Sequence, residues 1–327
     1  MSEGLLTTSV GSFPKTPELA KLRAQFNAGK LSREELTAAE RIATEYMIRT
    51  QEEIGVDILV DGEMYRGDMA TYFAENWDGF TISGLVRSYG NRYYRKPIVT
   101  GPVGRPAPVT LDWWKYAQSL TEKPVKGMLT GPYTMMDWSF DEYYGSREKV
   151  ALAIAEIVRD EVHDLAQAGC KYIQIDEPAI SVRPEELGVA IQAMDIVTNG
   201  LPSDVITISH ICYGDFTTIY PQILDLPVHM LDLELANSHY DLLEEFKKHK
   251  YTKLIGYGCV DVHSHRLETV DEVRDGILRG LNLMSAEQIF PDPDCGLKTR
   301  TIEESWDKMR TIVQAVREVK ATVGSGR

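Results

Sequence analysis

The sequence lacks the features that direct a protein to a membrane or to nucleic acid. Among its 327 residues, no apolar run approaches the roughly 18 residues that suggest a membrane-spanning helix. Lysine and arginine total 35 against 49 aspartates and glutamates, so the net charge is −14. Nucleic acids and anionic membranes attract basic surfaces, so neither is expected as a partner. The N-terminus has no basic segment before an apolar one, and we expect no signal peptide.

Cysteine is scarce, and its spacing does not suggest a disulfide framework. The four cysteines are Cys170, Cys212, Cys259 and Cys295. In a chain of this size that we expect to be cytoplasmic, free or metal-binding thiols are more common than disulfides. We interpret Cys170 and Cys259 as structural residues. Four histidines receive the same surface or structural interpretation: His229, His239, His249 and His265.

No glycine-rich nucleotide fingerprint follows the first predicted strand, which disfavours a doubly wound open sheet, the main alternative fold. What recurs is a short apolar run, at residues 5–10, 57–60, 125–129, 172–175, 205–208, 230–233, 254–258 and 288–290. Amphipathic segments separate most of these eight runs. This alternation predicts an α/β fold, a (β/α)8 TIM barrel, with residues 1–327 forming a single catalytic domain.

Two stretches carry more local signals. Ser32 followed by Glu35 predicts a capping box at the start of a helix that runs to about residue 54. Residues 64–124 are too long for a plain strand-to-helix connection. Their segment 84–103 is rich in tyrosine, arginine and valine and predicts a β-hairpin. We therefore interpret residues 64–124 as an insertion after strand 2, lying over the barrel mouth.

Polar side chains follow almost every predicted strand. Taken singly, each has an ordinary structural interpretation, such as a helix cap, a hydrogen-bonded histidine or a small buried thiol. Barrel enzymes, however, place their chemistry at this end of the strands. The coincidence therefore predicts one functional site built from Ser12, Glu63, Asp176, His210, Cys212, Glu234, His263 and Cys295.

Four of these residues offer the donor atoms that zinc prefers. His210, Cys212, Glu234 and Cys295 would supply one nitrogen, two sulfurs and one oxygen. Two thiolates and one carboxylate exceed the charge of Zn²⁺ by one, so such a site generates hydroxide poorly. It suits the binding of a substrate thiol as its thiolate, because a free thiol with pKa about 8.5 is mostly protonated at neutral pH.

At these residues the chain resembles the catalytic barrel of the cobalamin-independent methionine synthase family. The resemblance is carried by residues 7–14, 61–69, 125–132, 137–140, 173–179 and 293–300, and by the spacing of the four candidate ligands. It implies a zinc-dependent transfer of a methyl group to the thiol of L-homocysteine, which forms L-methionine. It also implies zinc ligation by His210, Cys212, Glu234 and Cys295, amino-acid binding by Val10, Gly11, Ser12, Glu63 and Asp176, proton donation by His263, and folate packing by Trp138.

The chemistry of homocysteine fits these implied roles. Its ammonium group suits Glu63 and Asp176, and its carboxylate suits the backbone N–H groups and the hydroxyl around Ser12. A thiol without an ammonium group, such as coenzyme M, is an alternative acceptor that has no use for two carboxylates. Outside enzymes, the alternatives are a non-catalytic amino-acid binder and a structural zinc barrel, which the presence of His263 disfavours.

The methyl donor is the open point. The family members that use polyglutamylated methyltetrahydrofolate have two barrels, and this chain has room for one. Val182 stands where the long enzymes have an acidic folate contact, and His265 stands where proline is usual. Short members look like enzymes that use a methylated corrinoid. We therefore expect methylcobalamin or a corrinoid protein as donor, with methyltetrahydrofolate as the alternative; a corrinoid would need no proton from His263.

Overall fold

The structure is a computed structural model that describes residues 4–87, 93–212 and 214–324. The helices are α1 (Pro17–Asn27), α2 (Arg33–Ile54), α3 (Thr71–Ala74), α4 (Leu111–Ser119), α5 (Pro132–Asp137), α6 (Arg147–Gln167), α7 (Leu187–Thr198), α8 (Leu242–Lys248), α9 (Val270–Leu281) and α10 (Ile302–Gly324). The strands are β1 (Asp78–Arg87), β2 (Tyr93–Gly104), β3 (Gly127–Thr130), β4 (Phe140–Asp141), β5 (Tyr172–Asp176), β6 (Ile206–Ile211), β7 (Met230–Leu233), β8 (Leu254–Gly258) and β9 (Ile289–Asp292).

The chain forms two compact units. The first comprises Met1–Tyr65, Trp113–Lys126 and Met230–Arg327. Its strands β7, β8 and β9 run parallel to one another. All three are almost entirely buried, which explains why they are continuous apolar runs in the sequence. Helices α9 and α10 pack against each other and against β9.

The second unit comprises Arg66–Asp112 and Gly127–His229. Its strands β3, β5 and β6 are also parallel, and α6 packs against both α5 and α7. Strands β1 and β2 form an antiparallel pair, as the sequence of 84–103 suggests, although residues 88–92 lie outside the described part of the chain. The single-domain organisation and the position of this insertion over a barrel mouth stay predictions.

The start of α2 has the predicted capping box. The Ser32 hydroxyl accepts the Glu35 N–H at 3.2 Å, and the Glu35 carboxylate accepts the Ser32 N–H at 2.8 Å. The helix ends at Gly55, whose φ of 95° is the left-handed conformation that glycine adopts without a steric penalty. Local sequence rules therefore determine both ends of this helix.

Three predicted strands differ from the structure. Residues 5–10 are not a regular strand: the Thr7 N–H bonds the Asp57 carboxylate at 2.8 Å, although the N–H groups of Leu5 and Thr8 donate to backbone carbonyls of other segments. Residues 57–60 contribute only an isolated parallel bridge, between Leu59 and Val125. Strand β6 runs on to Ile211, so His210 lies inside the strand and not after it.

The predicted α/β class is confirmed by the parallel strands of both units. The helices in the described ranges include none that combines the length and the apolar character needed to cross a membrane. A cytoplasmic location stays a prediction.

Candidate functional site

Strand β6 positions the first two predicted metal ligands. His210 is 3% exposed and Cys212, just after the strand, is 5% exposed. The His210 carbonyl accepts the Glu177 N–H at 2.9 Å, and the Cys212 carbonyl accepts the Ser181 hydroxyl at 3.0 Å. The segment that follows β5 therefore holds the backbone of both residues.

Asp176 ends strand β5 with a buried carboxylate. The Gln174 amide donates to it at 2.7 Å, which orients the carboxylate. Its backbone carbonyl accepts the Gly131 N–H at 2.8 Å, so the ends of β3 and β5 are aligned. The predicted amino-acid contact thus lies on a rigid strand end.

The next residue, Glu177, caps helix α5 from a neighbouring strand. Its carboxylate accepts the N–H groups of Tyr133 at 3.0 Å and Thr134 at 2.7 Å. Complete burial raises the pKa of Glu177 to about 7, against the opposing effect of these hydrogen bonds. An added Cβ at Gly131 would overlap the Glu177 carboxyl group, so glycine is required there.

Trp138 lies at the C-terminal end of α5 and is partly exposed. The preceding residue, Asp137, accepts a hydrogen bond from Arg147 at 2.6 Å and from Arg183 at 3.0 Å. Arg147 also binds Glu186 through two of its nitrogens. Helix α5 is therefore fixed at both ends, by Glu177 and by this ion-pair network, which holds the Trp138 backbone in place.

In the first unit, the predicted amino-acid contacts at Val10, Gly11 and Ser12 are tied to two other parts of the site. The N–H of Phe13 donates to the Gly62 carbonyl at 3.2 Å, and the N–H of Leu297 donates to the Ser12 carbonyl at 2.7 Å. Glu63 has a left-handed φ of 56°, and Lys15 donates to its carbonyl. An added Cβ at Gly296 would overlap the Ser12 hydroxyl.

Glu234, His263 and Cys295 also interact within the first unit. The buried Glu234 carboxylate lies 3.2 Å from the His263 imidazole, between Oε1 and Nε2. This hydrogen bond raises the pKa of His263, opposed by partial burial and aided by the negative charges of Glu234, Cys295 and Asp261. The Glu234 carboxylate therefore favours the protonated form of the His263 imidazole.

Three of the four predicted metal ligands form one group. His210, Cys212 and Cys295 each offer a ligand atom, and these atoms lie within 4.8 Å of one another. One nitrogen and two sulfurs fit zinc, which binds histidine and cysteine at distances of about 2.0–2.3 Å. Glu234 lies outside this group of three and is hydrogen-bonded to His263.

The other two cysteines are buried and separate from that group. Burial raises the pKa of Cys170 to about 12 and the pKa of Cys259 well above its usual value. Both thiols donate to backbone carbonyls, of Tyr172 and Asp292 respectively, at 3.2 Å. Neutral, hydrogen-bonded thiols agree with the structural interpretation of both residues.

Sequence reasoning missed two buried carboxylates beside the site, Glu177 and Asp294. Asp294 accepts three backbone N–H groups from residues 235–237, directly after Glu234. Burial raises its pKa to about 7. The sequence signal was the position of each carboxylate next to a predicted site residue, Asp176 or Cys295.

Parallel strands whose ends carry a histidine, two cysteines and several carboxylates define an α/β protein with the ligand set of a metal-dependent enzyme. The chain belongs to the family described as "Cobalamin-independent synthase, Catalytic domain", which matches residues 5–318. The resemblance stated from the sequence motifs is thereby confirmed.

Proteins named 5-methyltetrahydropteroyltriglutamate–homocysteine methyltransferase are similar to this chain. The protein from Xylella fastidiosa strain M23 is 42% identical over 325 residues, which are 96% of this chain and 43% of that protein. The protein from Streptomyces avermitilis is 42% identical over 329 residues, with 97% and 42% covered. The chain therefore spans less than half the length of these relatives.

Solved structures agree with the fold. A B12-independent methionine synthase from Shewanella sp. W3-18-1, in complex with selenomethionine, has a TM-score of 0.87 and 28% identity, covering 98% of this chain and 99% of that chain. A methyltransferase from Methanosarcina mazei has a TM-score of 0.66 at 16% identity, covering 97% and 95%, and shows the fold alone.

The expected corrinoid donor, whether methylcobalamin or a corrinoid protein, is wrong. The matching family is cobalamin-independent, and the similar proteins carry a methyltetrahydropteroyltriglutamate donor in their names. The error came from treating Val182 and a sequence with room for one barrel as signs of the donor. Val182 is more than half exposed, and one exposed side chain is weak evidence about a large ligand.

Proposed function

We propose that this chain catalyses zinc-dependent transfer of a methyl group from a 5-methyltetrahydropteroylglutamate to the thiol of L-homocysteine, which yields L-methionine. The observation that carries the proposal is the grouping of His210, Cys212 and Cys295 in a chain of this family. The names of the similar proteins support both the donor and the acceptor.

Zinc would be held by His210, Cys212, Cys295 and Glu234, a set of one nitrogen, two sulfurs and one oxygen. Bound there, it would supply a lowered pKa for the substrate thiol, so that a thiolate is present at neutral pH. The buried strand β6 and the hydrogen bonds to the His210 and Cys212 carbonyls keep this half of the ligand set in a fixed conformation.

Homocysteine would be oriented through its ammonium and carboxylate groups. The Asp176 carboxylate is buried and oriented by Gln174, and an ionised carboxylate forms a strong charge-assisted hydrogen bond with an ammonium group. Glu63 would provide the second carboxylate, and the backbone around Val10, Gly11 and Ser12 would bind the substrate carboxylate. Two carboxylates for one ammonium group favour homocysteine over an acceptor such as coenzyme M.

His263 would protonate the leaving group. The thiolate sulfur forms a bond to the methyl carbon while the carbon–nitrogen bond of the donor breaks. The electron pair of the broken bond stays on nitrogen. That nitrogen needs a proton, and the imidazole of His263 can provide one as a general acid. Trp138, at the end of α5, would pack against the pterin ring.

The test is to incubate the zinc-loaded protein with homocysteine and, in parallel, with 5-methyltetrahydropteroyltriglutamate, its monoglutamate form and methylcobalamin. We expect methionine from the folates and only background from methylcobalamin. A zinc-loaded protein that makes no methionine from either folate would overturn the proposal. A Cys295→Ser variant lacks one residue of the proposed ligand set, and the methionine that it forms is measured for comparison.

A further inference from the structure

Asp294 is a buried carboxylate that joins two predicted zinc ligands within the first unit. Asp294 is 0% exposed and directly precedes Cys295. Oδ1 accepts two backbone N–H groups at 2.9 Å, and Oδ2 accepts a third at 2.6 Å. The donors are the three residues that follow Glu234, namely Leu235, Ala236 and Asn237. One side chain therefore connects the segment after β9 to the segment after β7.

The position of Asp294 is itself fixed by β8 and the residues after it. Its own N–H donates to the Val260 carbonyl at 3.0 Å. An added Cβ at Gly258 would overlap Oδ1 of Asp294, so the carboxylate occupies space that only glycine leaves open. Three backbone N–H groups converge on this one buried side chain. The connection is therefore rigid.

The loop that Asp294 holds is strained. His239 and Tyr240 have left-handed φ values of 55° and 67°. Such conformations are unfavourable for residues other than glycine and persist where surrounding contacts enforce them. Here the Tyr240 N–H donates to the Leu235 carbonyl at 2.8 Å, and its ring stacks on Tyr257 with centroids 5.8 Å apart.

Helix α9 is shaped to receive these two rings. An added Cβ at Gly276 would overlap the Tyr240 hydroxyl, and one at Gly280 would lie 2.7 Å from the Tyr257 ring. The Tyr257 hydroxyl also donates to the Gly276 carbonyl at 2.8 Å. Contacts at Tyr240 thus fix the far end of the loop, and Asp294 holds its first residues, 235–237.

We infer that Asp294 is a positioning residue that sets the placement of Glu234 relative to Cys295 before the metal binds. The inference rests on the zinc site proposed above. Because Asp294 binds the residues after one ligand and adjoins the other, the two ligand-bearing segments move as one piece. Zinc then binds without having to order these segments, which increases its affinity.

The first test is zinc affinity, measured by competition with a chromophoric chelator. In Asp294→Asn an amide NH2 faces backbone donors, so at least one of the three hydrogen bonds is lost. We expect a zinc Kd raised roughly 10- to 100-fold, the range for residues that orient metal ligands. In the cobalt-substituted protein, the thiolate-to-cobalt absorption should shift as well. A Kd within about twofold of the wild-type value would overturn the inference.

Glu161→Gln is the matched control. Glu161 is also a 0% exposed carboxylate, and it accepts the N–H groups of Val109 and Thr110, in the second unit. Its loss should lower the free energy of unfolding and leave the zinc Kd unchanged. If Glu161→Gln weakens zinc binding as much as Asp294→Asn, the effect is general destabilisation and the inference is wrong.

A second measurement uses the wild-type protein, so it does not depend on a variant that folds. Amide hydrogen exchange of residues 235–237 should be slow in the zinc-free protein, because Asp294 already binds these N–H groups. Fast exchange that slows only with zinc would overturn the inference. A wild-type protein that binds no zinc would overturn both the inference and the proposed function, whereas equal zinc binding by wild type and Asp294→Asn rejects the inference alone.

Discussion

Glu234 and His263 are hydrogen-bonded at 3.2 Å, although 29 residues separate them in the chain. One of these residues is a proposed zinc ligand and the other is the proposed proton donor. The carboxylate therefore contacts the acid–base group directly. Any change at Glu234 should affect both the metal and the protonation of His263.

The first prediction concerns the pKa of His263. In the zinc-free protein, Glu234→Gln removes the negative charge and the strongest of the interactions that raise this pKa. We expect the pKa of His263 to fall, so that the imidazole loses its proton at lower pH than in the wild type. NMR titration of the ring protons measures it. Glu304→Gln, which changes the partner of His265, is the control and should leave His263 unaffected.

The second prediction concerns the thiolate ligands. Cys295→Ser should lose zinc and methionine formation together, because a hydroxyl is a poor replacement for a thiolate at such a site. Zinc per chain, measured by elemental analysis, tests it. Cys170→Ser should keep its zinc, since Cys170 is buried elsewhere and a hydroxyl can still donate to the Tyr172 carbonyl. Full zinc content and activity in Cys295→Ser would reject the ligand set.

The third prediction concerns the ammonium group of the substrate. Asp176→Asn removes one charged partner, and a charge-assisted hydrogen bond contributes about 1.5–3 kcal/mol, so KM for homocysteine should rise roughly 10- to 100-fold. Inhibition by 4-mercaptobutanoate, which has the thiol but no ammonium group, should change little. Equal weakening of both compounds would show that Asp176 acts on the thiol or on the fold and does not recognise the ammonium group.

The fourth prediction concerns stability and pH. The pKa of Glu177 is about 7 in the folded protein and 4.5 for an unperturbed glutamate. Between these values the folded state holds a proton that the unfolded state has lost, so the contribution of Glu177 is largest at low pH and is lost as pH rises through 7. Glu177→Gln should therefore reduce the fall in unfolding free energy between about pH 5 and pH 7. Denaturant titrations at several pH values measure that slope, and an unchanged slope would contradict the assignment.

The parts of the fold that depend on local patterns could be predicted from the sequence. Strands β7 and β8 match their apolar runs, and α2 begins at its predicted capping box. The prediction of a regular strand at residues 5–10 was wrong: the side chain of Asp57, about 50 residues away, accepts the Thr7 N–H and interrupts the backbone pairing. An apolar run in the sequence indicates that a segment is buried. It does not indicate which groups form hydrogen bonds with the backbone of that segment.

Some residues of the candidate site could likewise be predicted from the sequence, and others could not. His210, Cys212 and Cys295 could be found because thiols and imidazoles at strand ends are unusual and chemically informative. The role of Asp294 could not be predicted, since it depends on three backbone N–H groups from a loop about 60 residues earlier. Every residue except proline has such an N–H group, so the sequence does not indicate which of them bind a side chain. The methyl donor was predicted wrongly because it depends on a large ligand surface and not on a compact set of side chains.

Helix α9 carries two glycines one turn apart, Gly276 and Gly280, beneath the rings of Tyr240 and Tyr257. A glycine inside a helix costs about 1 kcal/mol relative to alanine, so these positions lower the intrinsic stability of α9. Each glycine and the tyrosine that packs on it, Gly276 with Tyr240 and Gly280 with Tyr257, should therefore change together during evolution. A homologue with a small residue at position 240 has room for alanine at 276, whereas alanine at 276 beside tyrosine at 240 would displace the loop that begins at Glu234.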